Sequence, residues 1–160
     1  MERAWVFPVV IAAVLATMVA LVGMTITDIG PWYHSLRQPP WAPPDAVYGL
    51  AWTAIYAFTA IAGVTAWIAT PSWREREWLI GLFCLNGFLN ILWSLLFFRF
   101  HRPDWALIEV VFLWLSVGAL ILAFWRRSML AAVLLVPYLL WVTFAGYLNM
   151  AVVNLNGPFP

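Results

Sequence analysis

Residues 104–125 read DWALIEVVFLWLSVGALILAFW, a run in which Glu109 is the only charge after the opening Asp104. A helix that crosses a bilayer needs roughly 20 predominantly apolar residues, and this run has that length. Backbone donors and acceptors have no water to bind inside lipid, so a spanning segment is a helix or a strand of a closed barrel. The run lacks the strict in-out alternation of a barrel strand. It is a transmembrane helix, and the remainder of the chain is read outward from it.

Four further runs have the same character: about Val6 to Ile26, Ala46 to Ala69, Trp78 to Phe98 and Met129 to Val153. Among 160 residues there are seven acids, eight arginines and no lysine, while 65 % are hydrophobic. So few charges do not coat a water-soluble globule. The expected fold is an all-α membrane protein, a single domain over residues 1–160 built as a bundle of five transmembrane helices. The first run follows Arg3 and superficially resembles a signal peptide, but it is too long for an h-region and has no small-residue cleavage site before Asp28.

The joints are short: Thr70 to Glu77, Arg99 to Pro103, and Arg126 to Ser128. Pro44-Asp45 and Pro103-Asp104 mark helix starts, where a proline loses no hydrogen bond and an acid meets the positive helix end. Pro137 leaves the carbonyl near Val133 without its helical partner and predicts a kink. Arg3, Arg74, Arg76, Arg126 and Arg127 fall on the side of the N-terminus and Arg37, Arg99 and Arg102 on the other, so the positive-inside rule puts the N-terminus inside.

Polar atoms at lipid depth are costly unless they face protein or a cavity. Projected at about 100° per residue, Tyr48, Trp52, Tyr56 and Thr59 share one arc of the second helix, and Asn86, Asn90, Trp93 and Phe97 one arc of the third. Trp105, Glu109, Phe112 and Ser116 do so on the fourth, and Tyr138, Trp141, Ala145 and Asn149 on the fifth. Four such stripes are expected to converge on a shared interior where a ligand binds. Asn86 and Asn90 read equally as interhelical glue or as ligand contacts. Trp52, Trp93 and Trp141 suit an indole wall for a planar ligand. Glu109 is the only carboxylate well inside a span, and a structural use is the favoured reading.

Several features carry no site. Trp5, Trp67, Trp73, Trp78 and Trp125 fit the interfacial aromatic belt. Ala12, Ala16 and Ala20 form a small-residue ridge suited to packing within the bundle. Cys84 stands alone in mid-helix and reads as packing. His34 and His101 lie in loops with no carboxylate or thiol at ligand spacing, which predicts no metal site. No phosphate-cradling loop, nucleophile triad or basic nucleic-acid stripe is present.

The long first loop makes the pattern specific. WYHSLRQPPWAPP (32–44), followed by AWTAIYAF (51–58), LNGFLNILWSLLFF (85–98) and VPYLLWVTFAGYLN (136–149), closely resembles the TspO/translocator protein family, also called tryptophan-rich sensory protein and formerly the peripheral benzodiazepine receptor. The resemblance spans all five helices in order. It implies a dimeric five-helix bundle in a bacterial cell membrane, with a cavity under the first loop and porphyrins such as protoporphyrin IX as ligands. It requires no cofactor. Positions matching the family's pocket are Tyr33, Pro43, Trp52, Asn90, Trp93, Trp141, Ala145 and Leu148, with Asn86 one turn from Asn90 and Tyr56 on the same stripe. Trp52 and Trp141 match the indoles associated with light-dependent porphyrin degradation in some members. No basic residue follows Tyr147, so the sterol-recognition pattern is incomplete and porphyrin is the better-supported ligand over cholesterol. Five prolines between Pro31 and Pro44 stiffen the loop, and Trp32, Tyr33 and Trp41 suggest a lid over the cavity mouth. An alternating-access transporter is disfavoured, because paired intramembrane charges and broken helices are missing from the sequence pattern.

Overall fold

The computed structural model describes residues 6–159. Arg3 and Trp5, used above for orientation and for the aromatic belt, lie outside them. Among the described residues there are five helical spans long and apolar enough to cross a membrane and no strand. They are α1 (Val6–Ile26), α3 (Asp45–Ala69), α4 (Trp73–Ser94, prolonged by a π turn over Leu95–Arg99), α5 (Pro103–Trp125), and α6 with α7 (Met129–Leu134 and Val136–Asn156). A short helix α2 (Pro31–Ser35) lies within the first loop. Pro31 presets its first turn, and the Ser35 hydroxyl donates to the Trp32 carbonyl at 2.6 Å.

One boundary departs from the sequence expectation by more than a turn, and the kink expected near Pro137 is a full break. The third span begins at Trp73 rather than Trp78, with Ser72 as its N-cap position. Arg and Glu are good helix formers, and the added turn is tied down from outside. Arg76 Nε donates to the Thr70 carbonyl at 2.8 Å, and the Glu75 carboxylate lies 3.5 Å from Arg127. The fifth span breaks at Leu135. Pro137 has no N–H to give the Val133 carbonyl, so the chain leaves the helix for one residue there and restarts. Leu135 is fully buried in the apolar core, so the break bends the span without opening a polar site.

The bundle has a solid half and a hollow half. α5 is central, packed on α4, α6 and α7, while α1 packs on α3 and α4. α3 lies closely on α6 but scarcely meets α7, so these two spans diverge toward the first loop. The solid half is built from Ala62, Ala66, Leu79, Leu120, Phe124, Ala131, Ala132 and Leu135. Alanines at 62, 66, 131 and 132 bring helix backbones close, and with lipid outside it is this fit, not escape from water, that holds helices together. A Cβ on Gly63 would stand 3.2 Å from the Phe83 ring, so a larger residue there would push that ring aside by a few tenths of an ångström.

The two ends of α5 show how a polar stripe can straddle a boundary. Glu109 and Ser116 are buried, but Trp105 and Phe112 are 52 % and 56 % exposed and face outward. The buried face of α5 runs through Ala106, Leu113, Val117, Leu120 and Phe124, so the predicted stripe lies on its edge. Cys84 is exposed rather than packed. On α1, which packs on α3 and α4, Ala16 and Ala20 also wall the interior space.

Candidate functional cavity

Where α3 and α7 diverge, the bundle encloses a cavity of about 760 Å3. That lies within the roughly 300–1,000 Å3 typical of small-molecule sites. Every span except α5 supplies wall: small residues of α1, Trp52 and Tyr56 of α3, Trp93 with the π turn of α4, and Trp141, Ala145 and Leu148 of α7. Of the positions expected from sequence, Tyr33, Trp52, Tyr56, Trp93, Trp141, Ala145 and Leu148 line it. Pro43, Asn86 and Asn90 do not.

The asparagines stand behind the wall, joined in a chain of side-chain hydrogen bonds. The Tyr56 hydroxyl donates to Asn90 Oδ1 (3.2 Å), Asn90 Nδ2 to the Tyr138 hydroxyl (3.1 Å), that hydroxyl to Asn86 Oδ1 (3.2 Å), and Asn86 Nδ2 to Ser116 Oγ (2.9 Å). Four spans, α3, α4, α7 and α5, are thus linked by one relay at bilayer depth. Both asparagines join helices, each through one amide donor and one amide acceptor. Asn149 does similar work with its amide oriented to donate to the Pro103 carbonyl (3.0 Å) and to accept from the Leu107 N–H (3.1 Å). Glu109 belongs to neither group: it does not line the cavity, and among the described residues its two buried oxygens have no hydrogen-bond partner.

The indoles are held by aromatic packing. Trp52 stacks on Tyr56 with centroids 5.5 Å apart, and Trp93 stacks on Phe97 at 5.4 Å. Tyr48 meets Trp141 edge-on at 6.0 Å. Such pairs fix ring planes and so give the cavity flat, preset walls.

Ser94, Phe98 and Gln38 are among the wall residues that escaped the sequence reading. Ser94 ends the regular part of α4, and Phe98 lies in the π turn that follows, which is closed by a bond from the Phe100 N–H to the Leu95 carbonyl at 2.9 Å; both line the cavity. An inserted residue of this kind shifts the helical phase, and the adjacent Phe97 and Phe98 both become buried. A regular 3.6 period turns one of two adjacent residues away. Gln38 comes from the first loop, and only the loop's path brings it in. Among the described residues the Gln38 amide, the Tyr48 hydroxyl and the Trp93 indole N–H are buried without a protein partner. All three residues line the cavity.

The first loop lies across this end of the bundle. Trp32 stacks on His101 (4.0 Å) and meets Phe97 edge-on (6.0 Å), while Tyr33 packs against Phe98 (5.8 Å). His101 takes a left-handed backbone conformation, φ 54°, which turns the α4–α5 joint beneath Trp32. Burial pushes the Tyr33 phenol above its ordinary pKa and keeps it neutral. At the far side the Asn156 amide accepts from the Arg37 N–H (2.7 Å) and donates to the Arg37 carbonyl (3.0 Å), tying the loop to the end of α7. Trp41 does not line the cavity. It stacks on Tyr147 (5.0 Å) on the outer side of α7, where the turn after Pro39 carries it.

Comparison with known proteins agrees with this architecture. The profile of the TspO/MBR family matches residues 4–155. The chain is 38 % identical over 148 residues to the tryptophan-rich protein TspO of Chlorobaculum tepidum, covering 89 % of this chain and 91 % of that one. It is 36 % identical over 129 residues to the protein CrtK of Rhodobacter capsulatus, 79 % of each chain. To the translocator protein of Homo sapiens it is 32 % identical over 122 residues, 76 % of this chain and 72 % of that one.

Proposed function

The chain belongs to the TspO/MBR family, and from that premise we propose that it binds tetrapyrroles, protoporphyrin IX above all, in the cavity between α1, α3, α4 and α7. It is a multi-pass bacterial membrane protein. The observation that carries the reading is the chemistry of the cavity wall. Indoles from three helices, Trp52, Trp93 and Trp141, face one apolar space, and the unpartnered groups of Gln38, Tyr48 and Trp93 lie in the same wall. A planar macrocycle with polar edge groups matches both parts. Its rings stack on indoles, and its carboxylates accept from donors that otherwise remain unsatisfied at a cost of about 1–3 kcal/mol each. Bound in this way, the porphyrin is sensed, sequestered or moved by the protein.

Titration of the detergent-solubilised protein with protoporphyrin IX in the dark, followed by tryptophan quenching, tests this. Saturable binding is expected, and Trp52→Phe and Trp141→Phe should each weaken it about three- to tenfold, as expected for loss of roughly 1 kcal/mol of aromatic contact. Non-saturable quenching that is identical in all three proteins would overturn the reading. Illumination of the saturated complex then separates binding from degradation. Porphyrin absorbance that decays into a new product, and persists in Trp141→Phe, assigns a photo-oxidative activity; unchanged absorbance assigns binding alone.

The first loop is the gate in this scheme. Its anchors are Trp41 on Tyr147 and the Asn156 clasp on Arg37. Trp41→Ala removes two aromatic pairs, the stack on Tyr147 and the edge contact with Phe144, so the porphyrin off-rate in stopped flow should rise about two- to tenfold. An unchanged off-rate would mean that the ligand leaves by another route.

A further inference from the structure

At the end of the bundle away from the first loop, an open surface cavity of about 530 Å3 lies against the end of α5 and the turn after it, lined by Leu122, Ala123, Trp125, Arg126 and Arg127. We propose that it seats the headgroup of an anionic phospholipid whose acyl chain runs along the outward face of α5.

The two arginines are held differently. Arg127 is fixed: its Nη1 donates to the Ala123 carbonyl at 2.7 Å, its Nη2 lies 3.5 Å from Glu75, and its Nε is buried without a partner. Arg126 is exposed, and among the described residues no carboxylate stands within ion-pair distance of it. One guanidinium is therefore preset and the other is available. A guanidinium fork matches the oxygens of a phosphodiester, which makes arginine the fitting residue for such a group.

The apolar part of the site continues up the helix. Ile108, Phe112, Leu115 and Leu122 are all more than half exposed. Their spacing of four, three and seven residues, with Arg126 four further on, puts them on one side of a helix that turns about 100° per residue. From Leu115 to Arg126 the rise is about 16 Å at 1.5 Å per residue, close to half of the ~30 Å hydrocarbon core. A lipid of one leaflet fits that length, its tail on the leucines and its phosphate at the arginines. Trp125, beside the arginines, is the residue type that settles at headgroup level.

Charge selects the class of lipid. Among the described residues this end carries Arg74, Arg76, Arg126 and Arg127 against Glu75 and Glu77. The other end sets Arg37, Arg99 and Arg102 against Asp28, Asp45 and Asp104. The positive excess lies only at the end that holds the cavity. By the positive-inside rule that end is cytoplasmic, and it faces a leaflet surface that is negatively charged. The quaternary ammonium of a zwitterionic lipid gains nothing there.

Native mass spectrometry of the whole chain, released from detergent with added phosphatidylglycerol or phosphatidylcholine, reads the site directly. Phosphatidylglycerol is expected to bind first and more tightly. Arg126→Gln should weaken it about five- to tenfold and leave phosphatidylcholine unchanged, whereas Arg37→Gln at the opposite end should leave both unchanged. Thermal unfolding of Arg126→Gln in lipid-free detergent should match the parent, because Arg126 holds no other part of the fold. Equal binding of the two lipids, or equal weakening by Arg37→Gln, would overturn the proposal. Displacement of phosphatidylglycerol by inorganic phosphate at the same concentration would overturn it too, by assigning the cavity to a free anion.

Discussion

Ala145→Trp is expected to lower the affinity for protoporphyrin IX at least about 100-fold, or some 2.7 kcal/mol, without unfolding the protein. Ala145 lines the wall on α7, one turn from Trp141, and its methyl group leaves the space that an indole would take. Filling a cavity removes no contact within the protein, so the loss of binding is not confounded with loss of fold. The dark titration gives the affinity, and thermal unfolding in detergent gives the control. Full affinity in a folded variant would place the porphyrin outside the cavity. The solid half of the bundle shares no residue with the cavity wall, so its packing should be untouched.

The second large effect concerns that solid half. Phe124 is fully buried, with the Phe83 ring at 5.4 Å and Leu79, Leu120 and Ala131 in the same cluster. Phe124→Ala leaves a void that helices already close-packed through alanine cannot collapse into. The expected loss is about 3–5 kcal/mol, read as a fall in the midpoint of denaturant-induced unfolding in mixed micelles. Helices persist in the unfolded reference state inside lipid or micelles, so the change reports packing between spans rather than formation of the spans. A loss under about 1 kcal/mol would show that this half relaxes freely. The hollow half offers the contrast: a truncation there enlarges a space that already exists.

The relay explains why the polar stripes divide into two kinds. Tyr48, Trp52, Trp93 and Trp141 present a ring to the cavity, but Asn86, Asn90 and Tyr138 use their hydrogen-bonding capacity on one another. Asn86 and Asn90 stand behind the cavity wall, and the neighbours they meet there make them glue. The sequence pattern contains the stripe but not the neighbours. Pro43 likewise matches the family's pocket by position, whereas the path of the first loop leaves Gln38 in the wall.

Apolar length and scarcity of charge are properties of segments, so the five spans were legible in the sequence. So was the break near Pro137, because a missing N–H acts on its own turn. The family was legible too, through residues 32–44 and the motifs of three helices. The cavity-facing position of Trp52, Tyr56, Trp93, Trp141 and Ala145 followed from a regular helical period. Tertiary structure alone decided the rest. The start of α4 at Trp73 rests on Glu75 and Arg76 reaching Arg127 and Thr70. The burial of Phe98 rests on a π turn that breaks the helical period. The outward placing of Trp105 and Phe112 rests on where the buried face of α5 ends. Each depends on which atoms from distant parts of the chain meet, and a one-dimensional period carries direction around a helix but not the partner standing there.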